Sequence, residues 1–291
     1  MSENIIFIDG KWLKKSQAKI SVYDHGLLYG DGIFEGIRAY NGSVFRLEKH
    51  LARLGRSAKM VSLKIPLSLS SLGNIVKLAL KKNNLKDAYI RLLVTRGVGD
   101  LGLNPFVCKK PSIIVIADKL ALFPKECYEN GLSAIIAKTM RNIPQALDPR
   151  IKSMNYLNNI QAKIEAVRAG VPEAVMLNNQ GNVSECTGDN IFIVKGNTIT
   201  TPPVSAGVLE GITREVVMEL ITKKTGYKLL EKDFKSQVFF NCDEVFFTGT
   251  AAEVIPVTKI DNKKIGSGKP GMVTLGLIRL FREVIQKETL L

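Results

Sequence analysis

The sequence predicts a mixed α/β protein, and three observations carry that prediction. The chain has 291 residues, 45% of them hydrophobic, which suffices for a large core and for two domains or one large one. Its apolar residues alternate with a period of two in some stretches and recur at three and four in others, so strands and helices are both encoded. Between Lys119 and Asn130 the chain leaves a strand pattern, passes Pro124 and starts a fresh strand at Ala134, as a domain hinge does.

The elements follow in order. Ile5–Ile8, an Asp9-Gly10 turn and Lys11–Leu13 read as an opening hairpin. The next segment, SVYDHGLLYGDGIFEGIRAYNG, carries five glycines among aromatics and suits closely approaching strands rather than a helix. From Phe45, the residues Leu47, Leu51, Leu54 and Ala58 keep helical spacing, with Arg53 on the flank, where it holds an anion or is solvated. After Pro66 a second amphipathic helix covers Leu72–Leu80 and stops at Asn83-Asn84. AYIRLLVTRG is a strand. The glycines that follow, Gly97, Gly99 and Gly102, match Gly-x-Gly-x-x-Gly, but Pro105 and Pro111 bracket a connection to the next strand, Ile113–Ala117, where a dinucleotide fold needs a helix.

Pro144 and Pro149 forbid regular helix before Asn155, whereas Leu157, Ile160, Ile164 and Val167 recur at helical spacing up to Gly170. Ala174–Leu177 and Asn190–Val194 read as strands on either side of NVSECTGDN. Gly211 precedes a helix beginning near Thr213 and stopping at Gly226. EVFF leads into the small-residue turn Gly249-Thr250-Ala251-Ala252, and Met272–Glu288 is a closing amphipathic helix.

Composition excludes several classes. The formal net charge of +14 favours anionic ligands, yet the basic residues are spread out, with no run of five and no aromatic interleaving, so no nucleic-acid groove is expected. Four cysteines, Cys108, Cys127, Cys186 and Cys242, form neither a Cys-x-x-Cys pair nor a disulfide framework, which suits a reducing cytoplasm. The N-terminus lacks signal-peptide order, and no apolar run reaches membrane-spanning length. His25 and His50 are the only histidines, so a histidine-built metal site is not expected, nor is a Gly-x-Ser-x-Gly hydrolase.

The positions with chemistry are few. Lys152 lies at what the pattern makes a loop-to-helix junction, where the helix dipole and lost hydration favour a neutral amine; composition alone favours a solvated surface lysine. Glu185 sits among small residues, as a partly buried carboxylate or a turn-stabilising acid. The amides after Gly211 suit a phosphate. Gly249–Ala252 presents further amides, or is an ordinary tight connection.

The wording YGDGIFEGIR, HLARLGRSAK, AYIRLLVTRG, IKSMNYLNN, VSECTGDNIF, LEGITRE and FFTGTAAEV resembles, in order and over essentially the whole chain, the fold-type IV pyridoxal phosphate enzymes, and most nearly the branched-chain amino acid aminotransferases. That resemblance implies a two-domain α/β enzyme: a small domain over 1–121, a hinge over 122–130, and a large cofactor-binding domain over 131–291, with pyridoxal 5'-phosphate in the cleft between domains. It implies that Lys152 carries the cofactor and moves a proton. Glu185 pairs with the pyridine nitrogen, and Tyr156 with the ring hydroxyl. Arg53, Gly211, Ile212, Thr213 and Thr250 hold the phosphate. The amides of Thr250, Ala251 and Ala252 take the substrate carboxylate. Phe34, Arg38, Tyr89 and Arg91, with Tyr29 from a partner subunit, shape the side-chain pocket.

The implied reaction is transamination of L-leucine, isoleucine and valine with 2-oxoglutarate, in a cytoplasmic homodimer or trimer of dimers, with no nucleic acid, membrane or metal partner. A D-amino acid aminotransferase and an aminodeoxychorismate lyase share the lysine and glutamate and are the rival activities. In place of the Trp and Tyr that wall the pocket in some branched-chain enzymes, KLALFPKE offers Phe123.

Overall fold

The computed structural model describes residues 3–119 and 123–289, which fall into two compact units. The first comprises the described residues up to 119, the segment Ile151–Tyr156 and the chain end from Ile285; the second comprises the described residues from 123 to Arg150 and Leu157–Val284. The expected division at residue 121 and the first residue of the expected hinge, Leu122, lie outside the described residues.

In the first unit β1 (Ile5–Ile8) and β2 (Lys11–Lys14) form the expected hairpin. Asp9 and Gly10, at φ 48° and 88°, supply the two left-handed residues of its turn. The glycine-rich segment departs from expectation only before Gly32, beyond which it is the expected strand. His25–Tyr29 makes a helical turn, α1, because the Asp24 carboxylate accepts a bond from Gly26 N at 2.7 Å and Gly30 closes the turn at φ 68°, a capped arrangement at both ends. Then come β3 (Gly32–Tyr40), β4 (Ser43–Val44), α2 (Leu47–Met60), α3 (Leu69–Lys82), β5 (Ala88–Thr95) and β6 (Ser112–Asp118). The Gly97–Gly102 stretch leads only to a 3-10 turn at Pro105–Val107 before β6, so the dinucleotide pattern is indeed a decoy.

Among the described residues these strands form a six-stranded sheet in the order β2-β1-β6-β5-β3-β4, antiparallel at every pair. Leu51, Leu54, Leu72 and Val76 of α2 and α3 cluster with Ile33, Ile37, Ile90, Leu92 and Val115, so the helices cover one face. Strand alternation then puts Ile33, Glu35 and Ile37 on the helix side. With Gly36 opposite Arg91 and Arg38 opposite Tyr89, the residues Phe34, Gly36, Arg38, Tyr89 and Arg91 share the other face.

The second unit runs α4 (Lys125–Asn130), β7 (Leu132–Ile136), α5 (Leu157–Arg168), β8 (Glu173–Leu177), β9 (Val183–Cys186), β10 (Asn190–Lys195), β11 (Thr198–Thr201), α6 (Ile212–Lys224), β12 (Lys228–Glu231), β13 (Glu244–Gly249), β14 (Glu253–Ile260), β15 (Lys263–Lys264) and α7 (Met272–Thr289), whose end from Ile285 belongs to the first unit. Among the described residues its nine-stranded sheet has the order β12-β11-β10-β13-β14-β7-β8-β9, with β15 on β14. The β7–β8, β7–β14 and β11–β12 pairs are parallel. Val175, Ile191, Phe247, Ile255 and Val257 build the core, and Phe123 packs against it.

On α5 the expected apolar stripe is not the buried face. Leu157, Ile160, Ile164 and Val167 are 62%, 50%, 42% and 66% exposed, whereas Ala162 and Ala166 are buried against Ala174 and Met176. Periodicity identifies residues that share a face; the close approach of α5 to β8 selects the small ones. No helix among the described residues is long and apolar enough to cross a membrane.

Candidate active site

In the first unit the segment carrying Lys152 runs beside β3. Phe34 N donates to Lys152 O at 2.9 Å, Met154 N donates to Gly32 O at 2.8 Å, and Ser153 bridges to Ile33. Lys152 N donates to Ser57 Oγ of α2 at 3.1 Å. The lysine is therefore fixed beside β3 in a short non-helical segment, and the expected helix start is corrected: α5 begins at Leu157, beyond the single turn over which a helix dipole acts.

Its side chain meets the residues that the sequence singled out. Lys152 Nζ lies 3.2 Å from Tyr156 Oη and 4.6 Å from the centre of the Phe34 ring. The Phe34 and Tyr156 rings meet edge to face at 5.1 Å. The Arg91 guanidinium sits 4.5 Å from the Phe34 ring centre and 5.4 Å from that of Tyr89, cation–π contacts that keep a charged group on an aromatic wall. Burial raises the Tyr89 phenol above its ordinary value, against the Arg91 charge. Gly36 makes this possible, since a Cβ there falls 1.9 Å from Tyr89 Oη.

The other expected residues of this unit stand differently. Arg38 stacks on Tyr40 at 5.1 Å. Tyr29 donates to Leu101 O at 2.6 Å and meets His25 edge to face. Arg53 is buried at 3% exposure, on the helix side of β3, with Nε and Nη2 on Glu35 at 2.9 and 2.7 Å. The solvated alternative for Arg53 is thereby removed.

In the second unit Glu185 lies within β9, buried at 5% exposure. Its Oε1 accepts from Arg141 Nε and Nη2 at 3.0 and 2.7 Å. Its Oε2 accepts from Asn190 Nδ2 and Leu209 N, both at 2.9 Å. Glu185 therefore lies on a strand, not in a turn, as a buried carboxylate held by donors from Arg141, Asn190 and Leu209. Arg141 in turn donates to Asn159 Oδ1 at 3.1 Å.

Asn190 joins this carboxylate to the start of α6. A Cβ on Gly211 falls 2.0 Å from Asn190 Oδ1, so the helix approaches the amide only because residue 211 has no side chain. Gly211 is the N-cap and no side chain caps it, so the first amides of α6, Ile212 and Thr213 among them, lack intrahelical acceptors and suit an anion. Asn190 also pairs in register with Thr248 at the end of β13. The turn Thr250–Ala252 follows at once, ending on Glu253 at φ 59°, and a Cβ on Gly249 falls 1.8 Å from Asp189 Oδ1. The carboxylate, the uncapped helix start and the small-residue turn thus adjoin within one unit.

Sequence reading missed Arg141, Asn190, Glu35 and His50. Asn190 and Glu35 lie inside motifs already singled out, while Arg141 sits in an irregular stretch with no local signal. No cluster of metal-ligating side chains occurs among the described residues.

The chain is similar to known proteins over nearly its whole length. Residues 32–260 match the family described as amino-transferase class IV. A Methanocaldococcus jannaschii protein, named provisionally a branched-chain-amino-acid aminotransferase, is 48% identical over 97% of this chain and 96% of its own length. The branched-chain-amino-acid aminotransferase of Pseudomonas aeruginosa is 36% identical over 99% of this chain and 94% of its own. The crystal structure of the Escherichia coli branched-chain amino acid aminotransferase superposes with a TM-score of 0.95 at 33% identity, covering 99% of this chain and 96% of that one. That of the Thermobaculum terrenum enzyme of the same name, in its PLP-bound holo form, gives 0.88 at 26% identity, covering 99% and 95%.

Proposed function

Because the chain belongs to the class IV amino-transferases, we propose that it is a branched-chain-amino-acid transaminase, passing the amino group of L-leucine, isoleucine or valine to 2-oxoglutarate with pyridoxal 5'-phosphate. The fold-type IV assignment and the activity rest on relatives that match this chain over nearly its whole length. The residues present fit the cofactor. Gly211 leaves an uncapped helix start, Glu185 is a buried carboxylate paired with Arg141, Lys152 carries an amine beside a phenol, and the buried Thr248 Oγ1 has no hydrogen-bond partner among the described residues.

When bound, pyridoxal phosphate supplies an aldehyde that takes the amino group and a ring that withdraws electrons from the substrate α-carbon. Lys152 anchors the cofactor and, once its amine is free, carries the proton between the substrate α-carbon and cofactor C4′. Tyr156, 3.2 Å from Nζ, orients that amine and bonds the ring hydroxyl. Glu185 keeps a proton on the pyridine nitrogen, and Arg141 keeps Glu185 ionised. The amides of Ile212 and Thr213, with Thr250 and Arg53, hold the phosphate. Thr250, Ala251 and Ala252 take the substrate α-carboxylate. Phe34, Tyr89, Arg38 and Arg91 receive the substrate side chain, apolar from the ring faces and charged at the guanidinium, which suits a pocket that accepts both leucine and glutamate.

We further propose that the chain works as a homodimer, in the cytoplasm, with Tyr29 serving the partner subunit. Exposed Val22, Leu27, Leu101, Leu103 and Phe106, at 69%, 58%, 68%, 81% and 78%, lie on two segments tied together by His25 N to Gly97 O and Tyr29 Oη to Leu101 O. An apolar surface of that kind suits a second copy.

The observation that carries the reading is the Lys152 amine beside Tyr156 and Phe34. Borohydride reduction of the cofactor-loaded protein followed by peptide mapping tests it: the pyridoxyl label is expected on Lys152, and a label on Lys138 or Lys163 refutes the assignment. A panel of amino donors against 2-oxoglutarate separates this activity from D-amino acid transamination and from lyase chemistry.

A further inference from the structure

The helix side of β3 is apolar except at one position. Glu35, at 0% exposure, stands between Ile33 and Ile37 in the core, where a carboxylate loses its hydration. It is held by three bonds: Arg53 Nε to Oε1 at 2.9 Å, Arg53 Nη2 to Oε2 at 2.7 Å, and His50 Nδ1 to Oε2 at 2.7 Å. His50, Arg53 and Ser57 lie along one face of α2, and Ser57 Oγ accepts from Lys152 N at 3.1 Å. On the other side of Glu35 in the chain, Phe34 N donates to Lys152 O at 2.9 Å. One row of α2 and one strand therefore tie together Arg53, Glu35 and the backbone of Lys152.

Stability alone does not call for this arrangement. A buried ion pair does not as a rule hold a fold better than apolar side chains of similar size, and this one interrupts a continuous apolar cluster. What it does provide is orientation. A guanidinium is a planar fork on a flexible stem, and a carboxylate that takes its Nε–Nη2 edge fixes both its plane and its direction. We propose that Glu35 is a positioning residue that fixes the Arg53 guanidinium, with His50 holding the carboxylate in place, so that Arg53 meets the cofactor phosphate without reorganising. The inference rests on the reading that Arg53 binds that phosphate.

The test separates phosphate recognition from general integrity. Dissociation constants of pyridoxal 5'-phosphate and of pyridoxal, which lacks the phosphate, are measured by absorbance titration on the full chain stripped of cofactor. The readout is the ratio of the two constants. Arg53→Gln is expected to collapse the preference for the phosphorylated form. Glu35→Gln is expected to lower it about 10- to 100-fold, the scale of one charge-assisted hydrogen bond, with pyridoxal affinity changed less than about twofold. Glu35→Asp keeps the charge but is one methylene too short for both bonds; it is expected to lower the ratio as well and decides the matter if Glu35→Gln does not fold. A ratio unchanged or raised in the Glu35 variants, while Arg53→Gln lowers it, overturns the positioning role and leaves the phosphate reading intact. Equal loss of both ligands shows a purely structural Glu35 and also overturns it. A ratio unchanged in Arg53→Gln overturns the phosphate reading itself.

Discussion

Replacing Arg141 by glutamine removes a buried charge that compensates Glu185. Both side chains are 7% exposed and the pair closes at 2.7 Å, with a second bond at 3.0 Å. After the substitution the carboxylate loses both guanidinium bonds and keeps those from Asn190 Nδ2 and Leu209 N, and Asn159 Oδ1 loses its 3.1 Å donor. Breaking a buried pair from one side costs about 3–5 kcal/mol, because it strands the other charge. For a protein of this size that corresponds to a melting shift of roughly 6–20 °C. Removing both charges in Arg141→Gln/Glu185→Gln strands neither, so the double variant is expected to be more stable than the sum of the singles by at least about 2 kcal/mol. Urea unfolding of the four proteins measures the cycle. Additivity within about 0.5 kcal/mol refutes the claim that Arg141 compensates Glu185. The same variants carry a functional signature. Glu185→Gln is expected to lose about 100-fold in turnover, roughly 2.7 kcal/mol of barrier. Arg141→Gln leaves a buried carboxylate that takes up a proton more readily, so its loss is expected to deepen as pH falls and to recover as pH rises.

Three further outcomes are expected. Arg91→Leu removes a charged donor from the aromatic wall, so kcat/KM for the glutamate half-reaction drops roughly 10- to 150-fold while the leucine half-reaction changes much less; single-turnover kinetics with each donor measures both, and equal losses show a structural arginine. Gly211→Ala sets a methyl 2.0 Å from Asn190 Oδ1, so α6 or the amide must shift, and cofactor affinity by titration is expected to fall at least ~10-fold with little loss of helix by circular dichroism. Acid stability reports the Glu35 cluster. The charge and hydrogen bonds of Arg53 and the His50 bond hold Glu35 down from 4.5 to about 2 despite its burial, so its contribution is complete above about pH 4.5 and is lost as pH falls toward about 2, amounting to roughly 3 kcal/mol. Burial lowers His50 from 6.5, which acts in the same direction, since the unfolded chain takes up that proton first. Denaturant midpoints between pH 7 and pH 3 should therefore fall more steeply in the parent protein than in Glu35→Gln, and parallel curves refute the contribution.

Much of the molecule was legible in local chemistry. Asp9-Gly10 announced a hairpin, the spacing of Leu47, Leu51 and Leu54 a helix, and Gly211 an uncapped helix start, because turns, caps and periodicity act over a few residues. The motifs around Lys152, Glu185 and Thr250 carried the family resemblance and with it the chemistry. Tertiary structure decided what those local rules leave open. Which face of α5 is covered depended on how closely β8 approaches, and the alanines won over the larger apolar stripe. Lys152 answers to β3 and to Ser57, 95 residues away, rather than to the helix that follows it. Arg141 reaches Glu185 across 44 residues and Arg53 reaches Glu35 across 18. Side chains so far apart in sequence become partners only where the folded chain returns on itself, and burial then makes each charge depend on the other.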